Sequence, residues 1–319
     1  MLPKAPISKP PLASNFPRDP SASCGWPLRQ GSRHGDKPKE KNLLKTLSII
    51  GCGNVGKVLG KLWARHRTFE LLDIRNRTLA SAQRATAFIG AGRAVADPAD
   101  MRPADVYLIG TPDDRIAQCC NVLVDAGLLS ANQVVFHCSG ALRSTELQSA
   151  IRLGAAVASV HPIRSFAAPE NVAENFSGTY CGIEGDQRAL DLLSDTFSAI
   201  GAQLVRIDPD RKILYHSAAV FACNYLATLL HVSQEAYSHA GIPADAALKL
   251  MQPLVSETLD NIFRLGPAQA LSGPIARGDT VTVERQQRAV SEWNKEYGEL
   301  YEIMAKLTTD LAARRERQS

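Results

Sequence analysis

The chain of 319 residues is predicted to form a doubly wound, mostly parallel α/β sheet followed by an all-helical C-terminal domain. Between residues 44 and 208, short apolar runs alternate with helical stretches, which is the pattern of a parallel sheet with crossover helices. Beyond residue 208 the strand pattern stops and helical spacing continues. These observations predict a sheet domain at residues 43–208 and a helical domain at residues 209–319.

The first 42 residues differ from the rest in composition and charge. They contain eight Lys and Arg against three Asp and Glu, a net charge of +5, whereas the remainder of the chain stands at −1. The segment is rich in Pro, Ser and Gly, and it cannot bury enough apolar surface to offset its ordering entropy. We therefore expect residues 1–42 to be a disordered basic tail. The nearly neutral remainder argues against nucleic acid as a partner.

Seven apolar runs are expected to be the strands of the sheet. Their ranges are 44–50, 69–74, 105–110, 133–138, 156–160, 178–183 and 203–207. In open α/β sheets, ligands bind beyond the carboxyl ends of the strands, so polar residues at these ends are candidate contacts. Thr111 and Pro112 follow the third run and are assigned to a cofactor. Ser139 and His161 follow the fourth and fifth runs and are assigned to a substrate.

The first run leads into a glycine-rich segment with the sequence GCGNVG, which precedes an apolar helical pattern. Gly51 allows a tight turn, Gly53 lets the backbone approach a pyrophosphate, and Gly56 lets the helix pack closely on the strand. Asn54 and Val55 begin the helix, where free N–H groups and a partial positive charge favour an anion. The order of strand, glycines and helix predicts a dinucleotide site, against the alternative of an ordinary glycine turn.

The end of the second run bears on the choice between the two nicotinamide dinucleotides. Asp73 lies about twenty residues beyond the glycines, where a carboxylate can bind the ribose 2′-hydroxyl of NAD. Asn76, Arg77 and Thr78 follow, and a guanidinium with neighbouring hydrogen-bonding groups suits the 2′-phosphate of NADP. We favour NADP(H) as the cofactor, with NAD(H) as the alternative.

Caps and helix breakers outline the helical domain. Residues 208–209 (Asp-Pro) can start a helix that runs to about residue 240. A second helix follows Pro243, and Pro253 is expected to bend or restart it. A last helical stretch begins near Asp279. The apolar residues that share one face of this stretch are Leu300, Ile303, Met304, Leu307 and Leu311.

Three polar residues on the first of these helices are candidate catalytic residues. Lys212 and His216 are four positions apart and therefore lie on one face. Asn224 lies roughly 80° from His216 at 100° per residue, so all three can border one cleft. Lysine, with an ordinary pKa of about 10.4, and histidine, at about 6.5, can each supply a proton to a developing alkoxide. The alternatives are a solvated charge for Lys212 and a satisfied core residue for His216.

The loop at residues 271–280 joins two helices and is rich in Gly and Pro, which fix its path. Arg277 can fork onto a carboxylate or phosphate and is assigned to the substrate. A surface ion pair is the alternative for Arg277. Asp279 can hold this arginine or cap the next helix.

Several other classes of function are not supported. The HCSG segment at residues 137–140 lacks the G-x-S-x-G spacing of a hydrolase elbow. The seven cysteines show no C-x-x-C spacing and the histidines no H-x-x-x-H spacing, so we expect no metal site and reduced thiols in a cytoplasmic protein. The longest apolar passage, residues 217–232, is interrupted by Asn224, Thr228 and His231, so we expect no membrane span.

The combination of these segments resembles the Rossmann-type oxidoreductases whose C-terminal half is classed as a domain of unknown function. The resemblance covers residues 44–310. The segments that carry it are 51–56 (GCGNVG), 111–114 (TPDD), 137–140 (HCSG), 161–162 with 165–166 (HP and SF), 212–224 (KILYHSAAVFACN), 253–255 (PLV) and 272–279 (SGPIARGD). The N-terminal half is also similar to deazaflavin-dependent NADP oxidoreductases and pyrroline-5-carboxylate reductases. The C-terminal half resembles the helical domain of 6-phosphogluconate and β-hydroxyacid dehydrogenases.

The resemblance implies a nicotinamide cofactor on the first domain, a small-molecule substrate in the cleft against the second, and a homodimer formed through the helical domains. In the hydroxyacid dehydrogenases a lysine and a nearby asparagine serve proton transfer and substrate orientation, and Lys212 and Asn224 are the closest counterparts. We therefore expect an oxidoreductase of a small carbonyl, imine or hydroxyacid, with Lys212 or His216 as the acid and Arg277 as the anchor of an anionic group. The alternative is a dinucleotide-binding sensor or interaction module without turnover.

Overall fold

The computed structural model describes residues 44–316, and the tail predicted at residues 1–42 lies outside this range. Eight strands form one sheet. They are β1 (Thr46–Ile50), β2 (Glu70–Arg75), β3 (Arg93–Val95), β4 (Val106–Ile109), β5 (Val134–His137), β6 (Ala156–Pro162), β7 (Tyr180–Gly185) and β8 (Gln203–Arg206). Their spatial order is β3, β2, β1, β4, β5, β6, β7, β8, and all neighbouring strands are parallel except β6 and β7. The predicted fold class is therefore confirmed.

Six helices belong to the sheet region, which we define as residues 44–208. They are α1 (Asn54–His66), α2 (Leu79–Ile89), α3 (Ile116–Asp125), α4 (Gln148–Arg152), α5 (Pro169–Glu174) and α6 (Gln187–Ser198). Two hydrophobic cores lie on opposite faces of the sheet, since Ile49 belongs to one and its neighbour Ile50 to the other. Because both faces are covered, the central strands β1, β4 and β5 are buried along nearly their whole length.

The helical region, residues 209–316, contains no strand within the described part of the chain. Its helices are α7 (Lys212–Val220), a π-helical turn (Phe221–Tyr225), α8 (Leu226–His239), α9 (Ala244–Leu265), α10 (Pro267–Ala270), α11 (Thr280–Trp293) and α12 (Lys295–Glu316). Asp279 caps α11 by accepting the Thr282 N–H at 3.0 Å.

Two local details differ from the expectations. The short strand β3, three residues long, was not predicted, because three residues are too few to show a period of two. Of the two outcomes expected at Pro253, a bend or a restart, the restart does not occur, because α9 runs through Pro253 for 22 residues. Proline removes one backbone hydrogen bond, but α9 stays helical on both sides where it packs against α8 and α10.

The larger core is centred on Trp63 of α1, which is fully buried. Its ring meets those of Phe69, Phe136 and Phe197 edge-on, at centroid distances of 5.4, 6.2 and 5.3 Å. The indole N–H donates to the carbonyl of Thr196 at 3.3 Å, so the one polar atom of the ring is satisfied. Edge-to-face contacts of this kind add about 0.5–1.5 kcal/mol each beyond area burial.

The helical region packs differently. Among its described residues only Lys212, Ala247, Met251 and Gly298 are buried. Large apolar side chains lie exposed along its helices. The exposed ones are Ile213, Leu214, Phe221, Tyr225, Leu248, Leu250, Leu254, Phe263, Leu265, Val281, Ile303, Met304 and Leu307. These helices therefore present a broad apolar surface that the described chain does not cover.

The stretch from Pro209 to His239 forms one nearly continuous helix of 31 residues. By length and composition alone it could cross a membrane, and none of its most apolar window is buried. The sequence interpretation expected no span here because of the polar residues inside this stretch. A single helix of this kind is weak evidence for a membrane.

Candidate functional site

The turn after β1 requires a glycine at position 51. Gly51 has φ +77°, a left-handed conformation that L side chains rarely adopt. A Cβ added there would lie 2.2 Å from Thr111 Cγ2 and 2.8 Å from Thr111 N. The Gly51 N–H donates to the carbonyl of Arg75 at 2.8 Å. The turn therefore brings together the carboxyl ends of β1 and β2 and the segment after β4.

Position 53 is glycine for another reason. Gly53 has φ −77°, and a Cβ added there would meet one described heavy atom within 4 Å, the Gly110 carbonyl oxygen at 4.0 Å. Helix α1 begins at Asn54 without a side-chain cap, so its first N–H groups lack a side-chain acceptor. Open space beside uncapped donors suits an anion that approaches the backbone.

The side chains at the start of α1 contact the protein itself. The Asn54 amide donates to the Phe166 carbonyl at 2.9 Å and links the turn to the loop after β6. Val55 packs against the larger core. A Cβ on Gly56 would lie 3.3 Å from Cys52 Sγ, so helix and turn are closely packed there. Asn54 and Val55 can therefore offer backbone N–H groups to a cofactor.

Asp73, the residue that would have indicated NAD, is fully buried and paired within the protein. Its carboxylate accepts from Arg93 Nε at 2.8 Å and from the backbone N–H of Arg102 at 2.6 Å. The Arg102 guanidinium adds a bond at 2.9 Å. Burial raises the pKa of Asp73, but these hydrogen bonds outweigh it and hold the pKa below its usual value. The Asp73 carboxylate therefore has a structural role, in which it binds two arginines of the same chain.

Asn76 and Thr78 also have structural contacts. Asn76 Oδ1 accepts the Cys52 N–H at 2.6 Å, and its amide donates to Ser81 Oγ at 3.1 Å. Thr78 Oγ1 caps α2 by accepting the Ser81 N–H at 3.2 Å. Asn76 therefore fastens the glycine turn to the turn between β2 and α2, and both turns face the same space.

A cavity of about 740 Å³ lies beside these turns. The residues that line it include Arg75, Arg77 and Arg84 and, from the segment after β4, Thr111, Pro112, Asp114 and Arg115. The hydroxyl of Thr111 is buried beside the Cys119 thiol, which is a weak hydrogen-bonding group. A ligand or water in the cavity can therefore complete the hydrogen bonding of this hydroxyl.

The turn after β5 is held by His137, which is fully buried. Its Nδ1 accepts the Ser139 N–H at 3.2 Å, so its proton lies on Nε2, which donates to the Arg143 carbonyl at 2.9 Å. Burial lowers the pKa of His137 to about 4, which keeps the ring neutral. His137 is therefore a structural residue of this turn.

The Ser139 hydroxyl is fully engaged. It donates to Asp113 Oδ2 at 2.8 Å and accepts the backbone N–H groups of Ala141 and Leu142 at 3.1 and 2.9 Å. A substrate atom would have to displace one of these partners to reach Ser139. Asp113, from the segment after β4, is exposed. We use the word crevice for the space beyond the carboxyl ends of β4 to β6, where Asp113, Ser139 and His161 lie.

His161, at the end of β6, meets two residues of α7. Its Nδ1 lies 3.0 Å from the Tyr215 hydroxyl, and its ring stands edge-on to that of His216 at a centroid distance of 5.4 Å. A Cβ added to Gly140 would lie 2.8 Å from His161 Nε2 and 2.3 Å from His216 Nδ1. Both imidazoles therefore face the bare backbone at Gly140. The buried His216 Nδ1 has no hydrogen-bond partner among the described residues.

Lys212, one turn earlier on α7, is buried and paired. Its Nζ lies 3.0 Å from Glu184 Oε1 and donates to Ser159 Oγ. Glu184 also accepts the N–H and the hydroxyl of Ser144 at 2.8 and 2.7 Å. Burial lowers the pKa of Lys212 and Glu184 opposes this shift. The lysine fastens the start of α7 to β6 and β7.

The structure brings Ser139, His161, Lys212 and His216 together but separates two other predicted residues. Asn224 lies in the π-helical turn and is exposed. Arg277 is also exposed, in a 3₁₀ turn (Ile275–Arg277) that packs against α12, and it lines another cavity of about 350 Å³. Within one chain, these two residues belong to other surfaces.

Two residues that contact the predicted ones, Glu184 and Tyr215, were missed by sequence reasoning. Asp113 was included only as part of the TPDD segment after the third run, without a role of its own. Glu184 follows the apolar run at 178–183, where a charged residue signals a buried partner. Tyr215 shares the face of Lys212 at spacing i, i+3. Among residues 44–316, no group of His, Cys, Asp and Glu is arranged to hold a metal ion.

Two family models match the chain. Residues 35–162 match a Rossmann-like domain, and residues 179–308 match DUF2520, a domain of unknown function. The chain therefore combines a Rossmann-like domain with a DUF2520 domain, as the sequence resemblance implied. No curated protein sequence matches it.

Several solved structures share the fold over most of the chain. Protein TM1727 from Thermotoga maritima is 25% identical, with a TM-score of 0.68 and coverage of 85% of this chain and 99% of that one. BF3122 from Bacteroides fragilis, named as a candidate NADP oxidoreductase, is 21% identical, with a TM-score of 0.69 and coverage of 84% and 98%. Pyrroline carboxylate reductase from Plasmodium falciparum, with NADP bound, is 10% identical, with a TM-score of 0.54 and coverage of 84% and 98%.

Proposed function

We propose that this chain is an NADP(H)-dependent oxidoreductase that acts on a small carbonyl, imine or hydroxyacid where α7 meets the sheet. The observation that carries the proposal is the pair of features at Gly53. Its missing side chain leaves space that the protein does not fill, and the uncapped start of α1 opens into that space. The solved structures of similar fold, whose names include NADP oxidoreductase and pyrroline carboxylate reductase, support the same class of reaction.

The residues around the 740 Å³ cavity fit a dinucleotide with a 2′-phosphate better than one without it. Asp73 is buried and paired, so it does not supply the carboxylate that a free ribose 2′-hydroxyl needs. Arg77 and Arg84 are exposed and line the cavity beside α2. Guanidinium groups bind phosphate with charge-assisted hydrogen bonds, which favours NADP(H). The Gly53 N–H donates to the Gly51 carbonyl at 2.9 Å, so the uncapped backbone N–H groups of Asn54 and Val55 would hold the pyrophosphate.

The nicotinamide, when bound, would supply or accept the hydride beyond the carboxyl ends of β4 to β6. Gly140, His161 and His216 line this end of the crevice, and their placement would orient a substrate beside the ring. The proton at the substrate heteroatom has two candidate sources, Lys212 and His216. Lys212 is only 1% exposed, and Nζ is held by Glu184 and Ser159. We therefore assign the proton transfer to His216 and the anchoring of α7 to Lys212.

We also propose that two copies of the chain pair through the apolar surface of the helical region. The long helix at 209–239 is interrupted by Asn224, Thr228 and His231, and such polar residues suit a protein partner better than lipid. Ile213, Leu214 and Phe221 are exposed next to His216 on this helix, so a covering partner would also close the crevice. A second copy would bring its own Arg277 to this interface as the anchor of an anionic substrate.

Calorimetric titration with NADPH and NADH tests the cofactor assignment. The informative variant is Gly53→Ala, because the backbone at 53 accepts a side chain and the protein offers it space. We expect this variant to unfold like wild type and to lose NADPH binding by at least about 100-fold, since the methyl group blocks the pyrophosphate. Equal binding by Gly53→Ala and wild type, or no binding of either dinucleotide, would remove the proposal.

Arg77→Ala tests the phosphate assignment separately. Losing one charge-assisted bond of about 1.5–3 kcal/mol should weaken NADPH binding roughly 10- to 150-fold and leave NADH binding unchanged. Tighter binding of NADH by wild type would reverse the cofactor preference.

Turnover is measured by the absorbance of NADPH against pooled small carbonyl and imine metabolites. Binding without turnover across these pools would support the sensor alternative.

A further inference from the structure

Tyr215 has no role in the reaction proposed above, yet its phenol contacts one of the site residues. Its hydroxyl lies 3.0 Å from His161 Nδ1, and the two rings meet edge-on at 5.6 Å. A Cβ on Gly182 would lie 2.4 Å from the same hydroxyl, so glycine at 182 is what admits the phenol. Gly182 and His161 are direct partners in the pairing of β7 with β6. Tyr215 is therefore fitted closely against one pair of strand residues.

Both members of this contact are neutral at pH 7. Burial raises the pKa of Tyr215 to about 12, although a backbone hydrogen bond from Gly182 opposes the shift. Burial lowers the pKa of His161 to about 4, and nearby His216 and Lys212 add to the effect. The phenol thus keeps its proton and the imidazole carries a single one. The position of that single proton decides what His161 can offer to a ligand.

We infer that Tyr215 fixes the tautomer of His161, by donating its hydroxyl proton to Nδ1 and so leaving the ring proton on Nε2. Among the described residues His161 Nδ1 is the side-chain hydrogen-bond partner of the phenol hydroxyl, so donating to Nδ1 is the arrangement that satisfies the phenol proton. His161 Nε2 faces the backbone of Gly140 so closely that a Cβ there would lie 2.8 Å from it, so glycine at 140 keeps a side chain off this nitrogen. The inference rests on the proposed oxidoreductase function for its consequence, but not for the tautomer itself.

The consequence is a defined role for each residue. A neutral imidazole with its N–H on Nε2 can donate to a carbonyl oxygen or imine nitrogen and stabilise the negative charge that develops there. His161 is then the catalytic hydrogen-bond donor, and Tyr215 is a positioning residue that acts through it. His216 faces the same spot through a nitrogen that has no partner in the described structure. Substrates are thereby limited to compounds with a small acceptor atom at the reacting centre.

Histidine-labelled protein without any ligand tests the tautomer directly. Long-range proton–nitrogen correlation spectra separate a protonated ring nitrogen from an unprotonated one, and His161→Gln identifies the signals. We expect wild type to carry the His161 proton on Nε2, and Tyr215→Phe to populate the Nδ1 tautomer as well. Tyr180→Phe is the matched control, since Tyr180 is an exposed residue of β7, and it should match wild type. A proton on Nδ1 in wild type, or an unchanged tautomer in Tyr215→Phe, overturns the inference.

Turnover then tests the consequence. Removing a preorganised donor costs about 100- to 1,000-fold in kcat, so His161→Leu should lose that much. His161→Gln keeps an N–H near the Nε2 position and should retain clearly more turnover than His161→Leu. Tyr215→Phe should lower kcat about tenfold with an unchanged KM for NADPH. Equal kcat in the Leu and Gln variants would overturn the donor role of His161. If wild type does not bind NADPH, the proposed oxidoreductase function is wrong, but the tautomer measured without ligand is unaffected.

Discussion

The sheet region and the helical region use their apolar residues in opposite ways. The sheet region buries them in two cores, and one of its two buried carboxylates, Asp73, is paired within the region by Arg93 and Arg102. The helical region leaves Phe263 85% exposed and Leu214 70% exposed, and its one buried charge, Lys212, is paired with a residue of β7. The comparison teaches that the sheet region buries its apolar side chains within its own two cores, whereas the helical region leaves most of its large apolar side chains uncovered by the described chain.

The largest effect is expected where the two regions are joined. Lys212→Met leaves Glu184 buried without its partner, and breaking a buried pair costs about 3–5 kcal/mol of unfolding free energy. Urea unfolding measures it, and the double variant Lys212→Met with Glu184→Met should recover much of the loss. Glu174→Gln, which breaks the exposed pair with Arg65, should change stability little. A small effect of Lys212→Met would mean that the helical region is held by other contacts.

The sheet region should also dominate the acid sensitivity of the fold. His137 has a pKa of about 4 when folded and an ordinary value of 6.5 when unfolded. Between these values the unfolded state binds more protons, so stability falls as the pH drops from about 6.5 to about 4. The loss for this residue is on the order of 3 kcal/mol. Urea unfolding at several pH values should show a shallower slope in His137→Gln, and an equal slope would assign the sensitivity to other groups.

A charged side chain on the exposed apolar surface of the helical region should weaken the proposed pairing of two copies of the chain. Phe221 is 68% exposed, and placing a carboxylate there removes about 2 kcal/mol of apolar burial from the proposed interface, or roughly 30-fold in dissociation constant. Sedimentation equilibrium of Phe221→Asp measures the shift. Leu153→Asp, at an exposed apolar residue of the sheet region, is the matched control and should not change the association. A monomeric wild type, or one that sediments with lipid vesicles, would contradict the pairing.

The smallest effect is expected for cofactor binding by the Phe221→Asp variant, in which the two copies are expected to separate. The residues assigned to the dinucleotide all belong to the sheet region, so Phe221→Asp should bind NADPH within about threefold of wild type. Fluorescence titration of NADPH provides the measurement. A loss above about tenfold would show that the helical region contributes directly to the cofactor site.

The sequence was most informative where structure depends on local composition. Strands covered on both faces appear as continuous apolar runs, and for this reason all seven predicted strands exist, with boundaries that differ by a few residues. The antiparallel direction of β7 relative to β6 was not predictable from composition. Strand direction depends on how the connecting segment returns, and an apolar run such as residues 178–183 has the same composition in either direction.

The site was predictable in part, for comparable reasons. The rule that ligands bind at carboxyl ends of strands led to His161 and Ser139. The contact between His161 and Tyr215 joins residues 54 positions apart, and an aromatic residue on an apolar helix is ordinarily a core residue. The angle assigned to Asn224 assumed a regular helix. The π-helical turn at residues 221–225 breaks that assumption because it adds residues to the turn.

The direction of β7 decides which way α7 must travel. Strands β7 and β8 run antiparallel to β6, so the chain leaves β8 heading away from the crevice. Helix α7 therefore has to return toward the crevice along β6 and β7. Lys212 meets the lower strand pair, Ser159 with Glu184, and Tyr215 meets the next pair up, His161 with Gly182. Helix α7 thus runs toward the carboxyl end of β6, and it places His216 at that end of the sheet. Had β7 been parallel to β6, the same helix would have started at the rim and descended away from it.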